Sequence, residues 1–410
     1  MDSHSYNSGR IRRADEVRAA GADVGVAAKK KTKKKKRNPW VVAVSVLLVV
    51  VLGGGAGAWA FYHYVSNDLL DPGAFGVANS ENATPAEWDG LVLNMLILGI
   101  DYEDGRYAQE GVGLTDMIMF VHLDLVQKSM YMLQVPRDAY IARQSQSVNG
   151  RINALLLNGP DKENPINNIF TVFREDFNLP VDRYIAMDMQ ALKAIVDHIG
   201  PLYVYVPFDM EYKGSRLEQG WQWLNGEQAE FFVRYRQGIN VMRGDVDRLD
   251  IQRHFYSALF RRFLNLSPRD IQKLMPVFDL YCNTNFTVSE LVSVAMSIYS
   301  IKAENIMMCK VPGATGGADK EAWPGAVTGD PEHFVIDLYG RGTEEDPGLA
   351  WLLNTYFRHH DTNAPVSADQ LGLPKIDIPG DITLYSPGIR FMDEVQEEEG
   401  GTDVDVEPDA

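Results

Sequence analysis

Leu91-Val-Leu-Asn-Met-Leu-Ile-Leu-Gly-Ile-Asp101 is an almost continuous apolar run that ends on a carboxylate. A run of this length, bounded by a turn, is typical of a strand buried on both faces of a sheet. The runs Met117–Leu123 and Met130–Val135 predict two more buried strands, joined by a turn over Asp124–Lys128. Strand and helix patterns then alternate, which predicts an α/β fold with a mixed central sheet covered by helices on both faces.

Helix-start signals organise the rest of the chain. Asn225 with Gln228, and Thr287 with Glu290, have the spacing of capping boxes, and the first of these helices should end near Val233, before Arg234. The remaining predicted helices are Pro165–Phe177, Met189–Ile199, Asp245–Leu264, Ser267–Tyr281, Thr287–Ile301 and Pro347–Phe357, and the remaining strands are Arg183–Met187, Leu202–Val206 and Ile306–Val311.

Charged residues stand at one end of each of the first three predicted strands. Asp101 ends the first strand, Asp116 opens the second, and Arg137-Asp138 follows the third. Strand ends are commonly polar, so coincidence is one explanation. The other is a ligand site at one edge of the sheet, where open α/β folds bind ligands.

The stretch from Arg234 to Arg253 places five arginines within 20 residues of an acidic chain. If Arg234 and Arg236 lie on a strand, their side chains share one face. If Asp245 caps a helix, Arg248 and Gln252 follow it along one stripe. Two arginine pairs beside an amide suit a ligand with several anionic oxygens, although a solvated charged helix face is the plainer alternative.

Two carboxylates beside an arginine cluster suit a hard cation that bridges a polyphosphate. Mg²⁺ takes one or two protein carboxylates and leaves its other positions to water and phosphate. Asp101 and Asp116 have no histidine or cysteine at ligand spacing, so the expected metal is Mg²⁺, or Mn²⁺, rather than Zn²⁺. A Walker loop, H-E-x-x-H and G-x-S-x-G are all absent from the sequence.

The N-terminal part of the chain has the opposite charge to the remainder. Residues 1–39 carry a net charge of +8, within a chain whose total is −17. Trp40–Tyr62 follows, 23 mostly apolar residues that would span about 34 Å as a helix, enough to cross a bilayer. Basic residues stay on the cytoplasmic side, so the later chain is expected outside the cell membrane; a cleaved signal peptide is the alternative.

The expected organisation is a basic cytoplasmic tail (1–39), a transmembrane helix (40–62), a stalk (63–89), one extracellular domain (90–385) and an acidic disordered tail (386–410). Cys282 and Cys309 would pair in an oxidising compartment or remain as two buried thiols.

The order of these motifs resembles the LytR-CpsA-Psr family of cell-wall glycopolymer ligases, over roughly residues 40–315. The matching pieces are Gly99-Ile-Asp101, Thr115-Asp116, Val135-Pro-Arg137-Asp138, Arg151-Ile-Asn153-Ala154, Val196-Asp-His-Ile199-Gly200, Leu224-Asn-Gly226-Glu-Gln228-Ala229, Arg234-Tyr-Arg236 and Gly244-Asp245-x-x-Arg248-x-x-x-Gln252.

The resemblance implies a phosphotransferase that moves a glycopolymer from a polyprenyl-pyrophosphate lipid to the C6 hydroxyl of N-acetylmuramic acid in peptidoglycan. It implies no nucleic-acid partner. The apolar interior would hold the prenyl chain, and Asp101 and Asp116 would hold Mg²⁺. The pyrophosphate would contact Arg137, Arg151, Arg234, Arg236, Arg248 and Gln252, with Asp245 orienting them.

Three further expectations accompany the resemblance. Asp138 is the candidate general base. Leu114 and Ile251 stand where members of the family often have arginine, and Arg106 or Arg253 would have to compensate. A hydrolase that uses water as the acceptor, and a non-catalytic envelope regulator, are the alternative functions.

Overall fold

The computed structural model describes residues 80–85, 90–101, 112–141, 150–235, 245–315, 333–340, 342–343, 346–358 and 365–375. All of them belong to one compact unit, Ala60–Ala410. None of the helices in these ranges is long and apolar enough to cross a membrane, and the predicted span Trp40–Tyr62 lies outside the described residues.

The described chain contains short and long strands in the following order: β1 (Val92–Asp101), β2 (Leu114–Asp124), β3 (Ser129–Val135), β4 (Arg183–Met187), β5 (Leu202–Val206), β6 (Met210–Tyr212), β7 (Ser215–Leu217), β8 (Gly220–Leu224), β9 (Cys282–Thr284), β10 (Ile306–Lys310), β11 (Gly313–Thr315) and β12 (Phe334–Ile336). Six of them form the central sheet, in the order β10-β3-β2-β1-β4-β9. The pairs β1–β4 and β3–β10 are parallel and the others antiparallel, so the sheet is mixed as predicted.

The helices among the described residues are α1 (Leu155–Asn158), α2 (Ile166–Glu175), α3 (Met189–Ile199), α4 (Gly226–Arg234), α5 (Asp245–Leu264), α6 (Pro268–Tyr281), α7 (Val288–Tyr299) and α8 (Leu349–Leu352). Helices α3 to α7 pack on one face of the sheet, against a methionine-rich apolar layer. Helices α1, α2 and α8 cover the other face. Alternate side chains of a strand point to opposite faces, which is why the continuous apolar runs of β1 to β3 supply both layers.

Several predicted elements are confirmed and others are wrong in detail. Strands β4 and β5 and helix α3 have the predicted bounds. Strand β5, however, is not part of the central sheet, because it pairs with β8 in a separate two-stranded sheet. The predicted helix Pro347–Phe357 is a four-residue helix, α8, followed by the π-helical turn Leu353–Phe357.

The two cysteines are free thiols. Cys282 lies on β9 and Cys309 on β10, the two outermost strands of the sheet. The two thiols face opposite apolar layers. Neighbouring strands are about 4.8 Å apart, so the thiols are much too distant for a disulfide. Burial, together with the nearby Asp188 carboxylate, raises the pKa of Cys282 to about 12, and burial raises the pKa of Cys309 as well.

Candidate functional site

The strand register brings the predicted charged residues to one end of the sheet. Asp101, the last residue of β1, pairs opposite Leu114, the first residue of β2. Ile118 of β2 pairs opposite Val135, the last residue of β3, so the segment that follows β3 starts at the same edge. This part of the prediction is confirmed, because an antiparallel neighbour starts where the first strand ends.

Asp116 lies in a β-bulge. The register passes from Gly99 opposite Met117 to Ile100 opposite Thr115, which leaves Asp116 as the extra residue. Bulges re-aim side chains and are common beside functional sites. The preceding Gly113 runs so close to β1 that a Cβ there would lie 2.5 Å from the Asp101 carbonyl oxygen, so glycine is required for this approach.

Carboxylates and guanidinium groups alternate beyond the bulge. Arg137 Nη1 lies 2.9 Å from Asp116 Oδ1, and Arg137 Nε lies 3.4 Å from Asp138 Oδ2. Arg151 Nη1 lies 3.2 Å from the other oxygen of Asp138. Side-chain exposures of 11% to 23% mean that these ion pairs are partly shielded yet open to a solute.

Backbone hydrogen bonds hold the segment that carries Arg151 against the segment that follows β3. Ile152 N donates to the Ala139 carbonyl at 3.0 Å, and Asn153 N donates to the Arg137 carbonyl at 3.2 Å. The Thr115 hydroxyl donates to the Asn153 carbonyl at 2.9 Å, which ties the same segment to β2 beside Asp116. Three chain segments are thus locked together around one array of charges.

Arg234 is the last residue of helix α4, so its predicted place on a strand is wrong. The sequence around it has no helix-stop residue, and a cation at a helix C-terminus complements the helix dipole, so α4 continues to Arg234. Arg234 Nη2 lies 3.5 Å from Asp101 Oδ1, and Nη1 lies 3.2 Å from Glu230 Oε1. Arg234 therefore lies at the same end of the sheet as Asp101.

Glu230 is a residue of this site that the sequence-based prediction missed. Its second oxygen lies 3.4 Å from Lys193 Nζ, so it bridges a lysine of α3 to Arg234. The i,i+4 spacing of Glu230 and Arg234 on a predicted helix was the signal that could have revealed it.

Gln252 connects helix α5 to the end of α4. It is buried, and its Nε2 donates to the Val233 carbonyl at 3.1 Å. Its Oε1 accepts no hydrogen bond from any residue that the structure describes. A buried acceptor without a donor is unusual in a folded protein and is common where a ligand or water completes the set.

The remaining predicted site residues lie beyond what the structure describes. Arg236 is outside the described residues, and for Asp245 and Arg248 only the helical backbone is described. Helix α5 includes Asp245 as its first residue.

Ile251, which stands where the family often has arginine, packs into the apolar layer. No group of three or more metal-ligating side chains occurs in the described ranges.

A mixed α/β sheet thus presents alternating arginines and carboxylates at one edge, and guanidinium groups match the geometry of phosphate oxygens. The chain belongs to the LytR_cpsA_psr family, whose family model matches residues 78–327, more than half of the sequence.

Two curated relatives are similar in sequence to part of the chain. Polyisoprenyl-teichoic acid–peptidoglycan teichoic acid transferase TagV of Bacillus subtilis (strain 168) is 30% identical over 210 residues, which are 48% of this chain and 51% of TagV. TagU of Oceanobacillus iheyensis is 28% identical over 194 residues, 47% of this chain and 57% of TagU. The aligned region thus spans about half the length of these curated relatives.

A solved structure shares the fold. A Streptococcus agalactiae protein superposes with a TM-score of 0.52 at 19% identity, over 68% of this chain and 91% of that protein. The crystal structure of B. subtilis TagV gives a TM-score of 0.48 at 26% identity, over 60% and 91% of the two chains.

Proposed function

We propose that this protein is a membrane-anchored extracellular phosphotransferase that moves a glycopolymer from a polyprenyl-pyrophosphate lipid to the C6 hydroxyl of N-acetylmuramic acid in peptidoglycan. The observation that carries the proposal is the array in which Arg137, Arg151 and Arg234 lie 2.9 to 3.5 Å from carboxylates at one sheet edge. Family membership and the names of TagV and TagU support the substrate class.

The carboxylates hold the arginines where an incoming pyrophosphate needs them. Asp116 and Asp138 both accept hydrogen bonds from Arg137, and Asp138 also accepts one from Arg151. A pyrophosphate offers the same planar pairs of oxygens with more charge, so it replaces the carboxylates as acceptor. Preorganised cations of this kind stabilise the charge that develops during phosphoryl transfer.

Asp101 and Asp116 are the proposed ligands of Mg²⁺, with Mn²⁺ as the alternative. Their side chains supply oxygen donors from neighbouring strands, one at a strand end and one in a bulge, and this donor set fits a hard cation. Two protein carboxylates would be enough, because Mg²⁺ usually takes its other ligands from substrate phosphates and water. When bound, the ion would neutralise charge on the phosphate oxygens.

Asp138 stays the candidate base for the acceptor hydroxyl, on one condition. Both of its oxygens face guanidinium groups, at 3.4 Å from Arg137 and 3.2 Å from Arg151. An Asp138 oxygen can face the acceptor hydroxyl only after these arginines have turned to the pyrophosphate. Until then Asp138 positions them. Arg236, Arg248 and Asp245 remain proposed members of the same clamp.

The proposed place of the prenyl chain is the apolar layer between the sheet and helices α3 to α7. Its buried methionines are Met95, Met119, Met130, Met132, Met210 and Met308. Methionine side chains are unbranched and adaptable, so they can rearrange around an inserted hydrocarbon chain. Close to the bulge, the Tyr256 hydroxyl contacts Met117 Sδ at 2.7 Å.

The test is a reconstituted reaction with full-length protein, a polyprenyl-pyrophosphate-linked polymer and peptidoglycan. The expected product is a phosphodiester between polymer and peptidoglycan, detected by ³¹P NMR after muramidase digestion and dependent on Mg²⁺ and Asp116. Release of the polymer as its phosphomonoester, together with polyprenyl phosphate, would instead identify a hydrolase. No turnover with either acceptor would leave the non-catalytic regulator as the better account.

The proposed location has its own test. Protease added to intact cells should digest the chain beyond about residue 65 and spare a tag at the N-terminus, because the basic leader stays inside. Protection of a C-terminal tag would reverse the orientation and exclude a wall ligase.

A further inference from the structure

The small β5–β8 sheet has one apolar face and one aromatic face. Leu202, Val204 and Val206 point into the core, so the alternate residues of β5 point away from it. Those residues are Tyr203 and Tyr205, which pair across the strands with Trp223 and Trp221. We call the outward surface made by Tyr203, Tyr205, Trp221 and Trp223 the aromatic face.

The four rings form a continuous row. Tyr203 lies 4.9 Å from Trp221 and 5.0 Å from Trp223, measured between ring centroids, and Tyr205 lies 5.7 Å from Trp221. Trp223 is 38% exposed and the other three are half-buried, so one side of the row is open to solvent. Burial of the core explains the aliphatic face of the hairpin but gives no reason for an open row of four large rings.

A cation completes this surface. The Arg261 guanidinium of helix α5 lies over the Trp221 ring, 5.7 Å from its centroid. Within the described residues Arg261 forms no ion pair, and burial lowers the pKa of its guanidinium. A partly desolvated cation without a counter-ion favours an anionic partner.

The aromatic face is linked to the proposed transfer site through helix α5. His254 contacts the Tyr205 ring at 5.5 Å, two residues after Gln252. Arg261 follows Gln252 by nine residues, or about 13 Å along a helix axis. Nine residues also place Arg261 half a turn around the helix from Gln252, so a polymer attached to a pyrophosphate at the sheet edge would pass around α5 to reach it.

We propose that the aromatic face and Arg261 bind the sugar-phosphate repeats of the glycopolymer donor; this inference rests on the proposed function and deepens it. Sugar rings present C–H faces that pack on aromatic rings, and a phosphodiester pairs with the guanidinium. The unpaired cation favours an anionic polymer over a neutral glycan strand. A bilayer is a poorer occupant, since three of the four rings are half-buried against one another rather than protruding.

The test measures binding of full-length protein, in detergent micelles, to water-soluble glucosylated poly(glycerol phosphate) by tryptophan fluorescence. We expect Trp223→Ala and Arg261→Gln each to weaken binding about tenfold, the size expected for losing an aromatic contact or a charge-assisted hydrogen bond. Trp223→Phe, which keeps a ring, should restore most of the affinity. Tyr212→Ala is the matched control, because Tyr212 is 46% exposed on the neighbouring β6–β7 hairpin and outside the row.

The arms of the experiment separate other occupants. Dextran and N-acetylglucosamine oligomers should bind more weakly than the polyanion, and Arg261→Gln should not change their binding. The proposal would be overturned by wild-type affinity in both Trp223→Ala and Arg261→Gln, or by an equal loss of affinity in Tyr212→Ala. Binding only to phosphatidylglycerol vesicles would also overturn it. The rate of transfer from a donor with a single sugar should be the same in these variants as in wild type. If the proposed function is wrong, wild-type protein will show no transfer. If only this inference is wrong, transfer will occur and the variants will keep wild-type affinity for the polymer.

Discussion

The two ends of the central sheet both carry buried or half-buried polar groups, but they are organised differently. At the end opposite the site, Asp182 accepts hydrogen bonds from Thr84 N at 2.7 Å, from the Thr84 hydroxyl at 2.8 Å and from Asn94 N at 2.8 Å. Asn94 Oδ1 in turn lies 2.7 Å from His122 Nδ1. We call these four residues the closed network.

At the site end, single arginines are shared between two carboxylates. Arg137 divides its hydrogen bonds between two carboxylates, and Arg234 lies between Asp101 and Glu230 with 48% of its side chain exposed. Both Asp182 oxygens accept hydrogen bonds that hold the fold, whereas the shared array can exchange a carboxylate for a ligand. The comparison predicts that mutations at one end change stability and mutations at the other change activity.

The largest expected effect is on catalysis, from Asp116→Asn. The substitution removes the charge at the bulge and keeps the shape, so transfer should fall by on the order of 10²–10³, the usual cost of losing a preorganised electrostatic group. The melting temperature should change by no more than about 2 °C, because the ion pair is partly exposed. Near wild-type transfer rates in both Asp116→Asn and Asp101→Asn would remove the metal role.

Asp182→Ala should have the opposite signature. It leaves three donors without their acceptor and should destabilise the protein by about 2–4 kcal/mol, measured by urea denaturation. The kcat of the folded fraction should stay close to that of wild type. An Asp182 variant that keeps its stability but loses transfer would contradict the division between the two ends.

Glu230→Gln tests whether the shared array needs its outer carboxylate. Gln keeps a hydrogen bond to Arg234 but loses the charge, so transfer should fall only about three- to tenfold. Glu230→Ala should cost more than Glu230→Gln. Glu227→Gln is the matched control, because Glu227 pairs with Lys193 and lies two helical turns before Arg234. Equal activity of all three variants would show that Arg234 is positioned without Glu230.

The smallest effect concerns the two thiols. Burial raises the pKa of Cys282 to about 12 and raises that of Cys309, so folded protein at about pH 8 should resist alkylation. The pKa of each thiol is higher in the folded state than in the unfolded state. The contribution of the protonated thiols to the free energy of unfolding should therefore be fully present below the unfolded thiol pKa of about 8.5 and should be lost as pH rises above it. Asp182→Ala should speed alkylation and Asp116→Asn should not; the reverse order would contradict the comparison.

Local signals predicted much of this fold. The capping boxes at Asn225 and Thr287 are present as predicted, because they depend on residues three positions apart. The meeting of Asp101, Asp116 and Arg137 also followed from strand order alone. These features need only neighbouring residues, or consecutive strands.

The parts that could not be predicted depend on distant pairings. Strand β5 has a strand pattern, but nothing local indicates that it pairs with β8 instead of the central sheet. Strand β12 pairs with β11, and its Phe334 also forms an isolated parallel bridge with Ala139, nearly 200 residues away in sequence. Arg234 was placed on a strand because helix ends are weakly specified where no glycine or proline marks them.

The most direct test of the account is the affinity of full-length protein for a polyprenyl pyrophosphate, such as geranylgeranyl pyrophosphate, with and without Mg²⁺. We predict that Mg²⁺ strengthens binding to wild type, that Arg137→Gln weakens it about tenfold or more, and that Asp116→Asn abolishes the Mg²⁺ effect. Folded Asp182→Ala should bind like wild type. Binding that ignores Mg²⁺ and is unchanged in Arg137→Gln would contradict the assignment of this sheet edge as the pyrophosphate site.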